Sequence, residues 1–199
     1  ITATATNVNG SGSATTIVSV NNEAPELSAI SANANAIGDK ATGETVTLTY
    51  QIDDLGADTF DAVVHWGDGN STVAEIASTG QVMADHVYQN GGVYEISVSV
   101  TDDDGGVSTP VTAKAIISGI GVQDGTLNIV GTTGLDQVII QRRSANSYLI
   151  RSNTVGILNV DPAATDAEFE AIHIQLGDGN DRFNALGTFD VPLIIDAGA

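Results

Sequence analysis

The chain has no cysteine, only six lysines and arginines, and only nine aromatic residues among 199. Without cysteine there is no disulfide frame and no thiolate metal site, so any domain must be held by core packing or by an oxygen-liganded metal. Six basic residues against 25 acidic ones leave a formal charge of −19. That balance excludes nucleic-acid binding, because phosphate contacts require Lys and Arg. No apolar run approaches the roughly 18 residues that span a bilayer, and nothing has the layout of a signal peptide. Membrane insertion is therefore not expected. The three histidines, His65, His86 and His173, are scattered without His-x-x-x-His spacing, which argues against zinc. What is present is β-forming: 42% apolar residues, mostly Val, Ile, Leu and Ala, with 22 Gly and many Thr and Ser.

The chain repeats itself. Sliding residues 1–10 onto 96–105 without a gap places Ile1, Thr6 and Gly10 on Ile96, Thr101 and Gly105, with Asn7 and Asn9 on Asp102 and Asp104. Ser13 then meets Ser108, and Thr16, Val18 and Val20 fall in the alternating phase of Val111, Ala113 and Ala115. A repeat of this kind marks an array of β modules. Residues 1–22 thus read as the closing hairpin of a preceding module plus a linker, with the turn at Asn7–Ser13 and a polar hinge at Asn21-Asn22-Glu23-Ala24-Pro25. The segment is expected to be cut from a longer repetitive polypeptide.

Residues 45–53 alternate strictly, placing Val46, Leu48, Tyr50 and Ile52 on one face. Further strands are expected at 60–66, 72–77, 93–101 and 107–117, with turn signals every ten or so residues, as in an antiparallel sandwich. Only 163–171 has helix-like composition. Trp66-Gly67-Asp68-Gly69 follows the strand Ala62-Val63-Val64. His86-Val87-Tyr88 comes next, then Gly92-Val93-Tyr94-Glu95-Ile96-Ser97-Val98-Ser99-Val100-Thr101-Asp102. Trp66 should anchor a core by burying about 200 Å². Gly67-Asp68-Gly69 suits a tight hairpin with Asp68 bonding turn amides, and His86 reads as a hydrogen-bonded core histidine. The order and spacing of these three motifs resemble the PKD (polycystic kidney disease-type) domain over about residues 24–118. The residue before the aromatic, His65, departs from that family's commoner acidic or small residue. The resemblance implies an immunoglobulin-like β-sandwich, here placed at residues 23–118, and a spacer or interaction module of extracellular proteins that is seldom catalytic.

After Ser118 the pattern changes. Leu127–Val138 lies over Ile172–Phe183 at an offset of 45, and Leu193–Gly198 over Ile172–Gly177 at an offset of 21, with Tyr148-Leu149-Ile150 about where an intermediate copy is due. Short apolar strands with Gly-Asp turns suggest a β-solenoid-like segment over 119–199, in which each rung buries its face on the next. Gly177-Asp178-Gly179-Asn180-Asp181-Arg182-Phe183 resembles the RTX (haemolysin-type) nonapeptide, and Gly134-Leu135-Asp136-Gln137-Val138 is a partial second match. In that family turn carbonyls and Asp side chains bind calcium between rungs.

Calcium takes six to eight hard oxygens from carboxylates, carbonyls and water. Many carboxylates of this chain sit in short turns. One expected site joins the linker residues Asn22 and Glu23 to Asp53, Asp54, Asp102, Asp103 and Asp104, and the Val-Asn-Asn-Glu-Ala-Pro linker resembles those of cadherin-type arrays. The other uses Asp136, Gly177, Asp178, Gly179 and Asp181. Asp68 with the 102–104 cluster could in principle form a glycosidase pair. Acidic residues are so frequent that chance is the better explanation, and the chain is read as non-catalytic. The expected fold is all-β. The expected function is a structural or adhesive segment of a large secreted or cell-surface repeat protein, stiffened by Ca2+. Its partners would be neighbouring modules, other copies of itself, or surface and matrix glycans or proteins. The alternative is a subunit that polymerises into an extracellular filament by strand complementation and solenoid stacking.

Overall fold

The structure, a computed structural model, describes residues 2–7, 10–15, 21–144, 147–153, 156–160 and 170–198. It is all-β over these residues. β1 (Thr2–Asn7) and β2 (Gly10–Thr15) form an antiparallel hairpin that, among the described residues, joins no other sheet. The hairpin closes tighter than the expected Asn7–Ser13 turn, because Thr6 already pairs with Ser11 and Asn7 with Gly10.

Two sheets face each other over residues 26–117. One has the order β3 (Glu26–Ala32), β5 (Thr45–Asp53), β8 (Gly80–Val87). The other contains β7 (Ser71–Ile76), β6 (Phe60–His65), β9 (Gly92–Asp102) and the first half of β10 (Val111–Gln123). Period-2 alternation sends one face of each strand inward. Val46, Leu48, Tyr50 and Ile52 of β5 share a core with Val64, Trp66, Ile96, Val98 and Val100. Two strands escape the sequence pattern. β8 turns Gly80, Val82, Ala84 and His86 inward, but the small Gly and Ala, the polar His86 and the exposed Met83 on the outer face mask its alternation. β3 breaks period 2 with a bulge between Ser28 and Ser31, where Ala29 takes φ 50°.

β10 does not stop where the expected strand at 107–117 ends. Val107 makes only an isolated bridge to Thr101. The strand proper starts just after Pro110, which has no N–H to donate, and runs 13 residues. Its first half pairs antiparallel with β9, from Val111↔Val98 to Ile117↔Gly92; its second half pairs antiparallel with β11 (Thr126–Val130), from Gly119↔Val130 to Gln123↔Thr126. The short β4 (Lys40–Ala41) joins in parallel where the partner changes, at Ile117 and Ser118.

Beyond Ser118 the pairings follow the internal repeats. β11 lies parallel to β15 (Ala171–Gln175) with Leu127↔Ile172 and Ile129↔Ile174, and β15 lies parallel to β17 (Leu193–Asp196) with Ile172↔Leu193. In a second sheet β12 (Gln137–Ser144) lies parallel to β16 (Arg182–Leu186) with Val138↔Phe183. The offsets of 45 and 21 residues seen in the sequence are thus the registers of parallel ladders. Leu127, Ile129, Val138, Ile140, Tyr148, Ile150, Ile172, Ile174 and Leu176 form the second core.

Tyr148-Leu149-Ile150 is not an intermediate copy. It belongs to β13 (Ser147–Ser152), antiparallel to β12 with Ile140↔Ile150, and β14 (Gly156–Val160) follows antiparallel to β13. This hairpin lies in sequence between β12 and β15, where the offset is 45 residues, against 21 between β15 and β17. The helix-like stretch at 163–171 lies outside the described residues apart from 170 and 171, and Ala171 opens β15.

Candidate functional site

The residues behind the PKD resemblance form one packed network. Trp66 is fully buried, and its indole N–H donates to Thr72 Oγ1 at 2.9 Å. The His86 ring stacks on Trp66 with centroids 4.9 Å apart, Tyr88 meets His86 edge-on at 4.7 Å, and Tyr94 stacks on Tyr88 at 4.2 Å. The Tyr88 hydroxyl donates to the Trp66 carbonyl at 2.8 Å. Burial pushes the Tyr88 and Tyr94 hydroxyls up, Tyr94 to about 12, with the charge of Asp68 adding to both, so both stay neutral donors. Asp68 accepts from the Asn70 backbone amide, as the turn reading expects, and also contacts His86 Nε2 at 2.7 Å.

Burial alone would raise the Asp68 carboxyl. The hydrogen bonds from His86 and Asn70, with the histidine charge, outweigh it and hold the carboxyl below its ordinary value. A depressed carboxylate contributes stability that is present above its unfolded pKa and lost as pH falls through the folded one. Stability should therefore decline as pH drops from about 4. Asp68→Asn should flatten that decline in urea midpoints measured between about pH 5 and pH 2; an unchanged slope would exclude Asp68 as a contributor.

The linker end of the sandwich gathers most of the predicted acidic residues. Asn22 Nδ2 donates to Asp102 Oδ2 at 2.9 Å, which docks the linker on the Asp102–Gly106 turn. The other Asp102 oxygen accepts from the amides of Asp104 and Gly106. These bonds, the one from Asn22 first, hold Asp102 below its ordinary value despite burial. Both of its oxygens are thus engaged in shaping the turn. Asp53 accepts from Ser28 Oγ and Gln51 Nε2. Asp54 Oδ1 caps Gly56, while Asp54 Oδ2 is buried with no hydrogen-bond partner. A groove of about 510 Å³ is lined by Glu23, Glu26, Asp53, Asp54 and the 90% exposed Leu55.

Asp58 was missed by the sequence reading. Partial desolvation and the carboxylates of Asp54, Asp103, Asp104 and Asp102 hold it above its ordinary value. Its signal lay one loop away from the motifs, where only tertiary structure brings it to the cluster. Asp68 lies at the far end of β6, roughly 20 Å away at about 3.3 Å per residue. A glycosidase pair needs carboxyls within about 10 Å, so Asp68 and the 102–104 cluster cannot form one.

In the second core the predicted turn residues stack. Asp136 is fully buried and accepts from Thr132 N at 2.7 Å and Thr132 Oγ1 at 3.2 Å. Asp181, at the offset of 45, accepts the Asp136 amide at 2.8 Å through Oδ1, while its Oδ2 is buried without a hydrogen-bond partner. A Cβ placed on Gly179 would lie 2.5 Å from the Gly134 carbonyl oxygen and 2.7 Å from Asp181 Oδ1, so oxygens of both turns converge beside it. Gly177 is half-buried and Asp178 exposed in the same turn. Among the described residues no three His, Cys, Asp or Glu side chains are grouped to hold a metal ion.

The joint between the cores was also missed. The β8–β9 loop, Asn90-Gly91-Gly92, presses its backbone against β10: Gly91 N donates to the Ile120 carbonyl at 3.1 Å, and a Cβ on Gly91 would fall 2.1 Å from the Gly119 carbonyl carbon. Thr42 N donates to the Ser118 carbonyl at 3.1 Å, and the buried Ser118 hydroxyl donates to the Gly131 carbonyl at 2.5 Å. Asn-Gly-Gly looks like an ordinary turn in sequence; nothing local announces its partner.

No curated protein matches the chain, and no helix among the described residues is long and apolar enough to cross a membrane. Among solved structures, the PKD domain of an M14-like peptidase from Thermoplasmatales archaeon SCGC AB-540-F20 is 21% identical, with a TM-score of 0.43 over 49% of this chain and 98% of that one. The PKD domain of the human VPS10 domain-containing receptor SorCS2 is 19% identical, with a TM-score of 0.36 over 55% of this chain and 88% of that one. Residues 22–117, a little under half of the chain, match the family model described as PKD domain, and the facing sheets and the Trp66 network support a PKD-type sandwich over that stretch.

Proposed function

We propose that the chain is a non-catalytic spacer or adhesive segment of an extracellular array, in which a PKD-type sandwich is coupled to a β-solenoid-type stack. The observation that carries this reading is β10, one 13-residue strand that serves both cores and changes partner at Ser118. A flexible linker would let two modules swing. A shared strand, with loops docked on it from both sides, transmits orientation and suits a spacer. Small-angle scattering tests it: one extended conformer should fit the curve for residues 22–198. A curve that fits only an ensemble of independently reorienting halves would sink the proposal.

Calcium is the cation whose chemistry suits the two acidic ends. At the linker end the candidate ligands are Asp54, Asp58, Asp103 and Asp104, with Glu23 and Asp53 on the groove wall; their side chains are not grouped around one point and would have to close on the ion. In the stack it would be held by Asp181 and the Gly134 carbonyl, with Asp178 beside them. Each end carries one buried carboxylate oxygen without a partner, and calcium completes its shell with carbonyls and water. A ligand at about 100 times its Kd adds roughly 2.7 kcal/mol to the folded state. Calcium should therefore raise Tm by several degrees and EDTA should reverse it, with Asp181→Asn removing the share that belongs to the second core. Identical melting in calcium and in EDTA, with no heat on titration, would rule the cation out.

A further inference from the structure

The parallel stack is closed on one side and open on the other. On the closed side antiparallel strands cover both sheets: β10 lies against β11, and the β13–β14 hairpin lies against β12. On the other side β17 and β16 are the last strands of their sheets among the described residues. The apolar columns run straight into that open side. Ile129 and Ile174 are 2% and 0% exposed, whereas Ile195, next in the same column, is 44% exposed and its neighbour Ile194 52%. An edge strand reading Leu-Ile-Ile-Asp carries no lysine, proline or bulge to discourage pairing.

The turns stack in the same direction. A Cβ on Gly177 would lie 2.5 Å from the Thr132 carbonyl oxygen, and one on Gly198 would lie 1.7 Å from the Gly177 carbonyl oxygen, so successive turns touch backbone to backbone. Hydrogen bonds climb with them: Gly131 N donates to the Gln175 carbonyl and Leu176 N to the Asp196 carbonyl. Each rung offers its amides to the carbonyls of the next.

We propose that the β17 edge binds a further rung of the same kind, a parallel strand with apolar residues at alternate positions followed by a Gly-Asp turn. Its strand continues the Leu127–Ile172–Leu193 and Ile129–Ile174–Ile195 columns, and its turn stacks on Gly198. A second copy of this chain fits poorly. Its corresponding side is already covered by antiparallel strands, and two chains of charge −19 repel. The proposal rests on the solenoid reading of the stack.

The test uses the whole chain and a labelled synthetic peptide of residues 171–191, which is one complete rung. Saturable binding is expected, with slowed hydrogen exchange confined to the 193–198 amides, no binding by a scrambled peptide, and at least about tenfold weaker binding to the Ile195→Lys chain. Ile195 is half-exposed, so that variant should keep the melting profile of the parent. No saturable binding at about 1 mM peptide, or protection at the edges β3 or β7 instead, would overturn the proposal. So would self-association of the unliganded chain through β17. The underlying reading fails separately, if amides of β15 in the unliganded chain exchange as fast as those of an unpaired strand.

Discussion

Trp66→Ala should lower the stability of the sandwich by about 3–5 kcal/mol, the range for removing a fully buried large aromatic. The indole does three things that alanine cannot. It fills the centre of the first core, it gives His86 a stacking surface, and its N–H holds Thr72 of the neighbouring strand. His86 in turn contacts Asp68, so the loss should spread to the hairpin that presents the tryptophan. At about 4–8 °C per kcal/mol for a domain of 60–100 residues, the transition should move by more than 10 °C. Trp66→Phe keeps a ring for His86 but not the N–H, and should fall between the two. Followed by tryptophan-independent probes such as far-UV circular dichroism or hydrogen exchange, the second core should retain protection at Ile172 and Ile174 under conditions where β5 and β9 have opened. Loss of less than about 1 kcal/mol would mean that the first core is not built around this side chain.

The sandwich was legible because its signals are local. A strand such as 45–53 declares its buried face through period 2, and Trp-Gly-Asp-Gly carries both its turn and its core anchor in four residues. The parallel pairings after Ser118 were legible for a different reason. Residues that sit above one another in a ladder meet the same neighbours, so they come to resemble one another. The 45- and 21-residue echoes are that resemblance written along the chain. Tyr148-Leu149-Ile150 misled because an antiparallel cap buries the same apolar residues as a rung, and apolar content does not encode strand direction. The acidic end was partly legible. Asn22 reaches Asp102, and Asp54 and Asp102–Asp104 act on Asp58, but which oxygens are spent on turn amides and which stay unpartnered depends on backbone geometry. Asp102 illustrates this, since its two oxygens serve Asn22, Asp104 and Gly106. Asp58 illustrates the converse, as a residue with no motif that only the fold brings to the cluster.

Gly91→Val should disconnect the two cores without unfolding either. The wild-type loop reaches β10 so closely that even a methyl group at Gly91 would sit 2.1 Å from the Gly119 carbonyl carbon and 2.5 Å from its Cα and its oxygen. Backbone cannot yield as a flexible side-chain tip can, so the loop must lift away. Lifting breaks the Gly91–Ile120 hydrogen bond and disturbs the adjacent Gly43–Tyr88 bond. Overpacking of about 1–3 kcal/mol plus about 1 kcal/mol for a lost hydrogen bond puts the total near 3 kcal/mol. The loss should be asymmetric. Tyr94 takes its hydroxyl partner from the Asn90 carbonyl in the same loop, so the first core should register part of it. The second core keeps β10 paired with β11 and should melt as before. The decisive readout is shape: scattering from the variant should report a broader distribution of maximum dimensions than the parent while both melting transitions survive. If the parent and variant curves superimpose, the loop is not what fixes the orientation, and the stiffness of the spacer must come from β10 with the β4, Thr42 and Ser118 contacts on it.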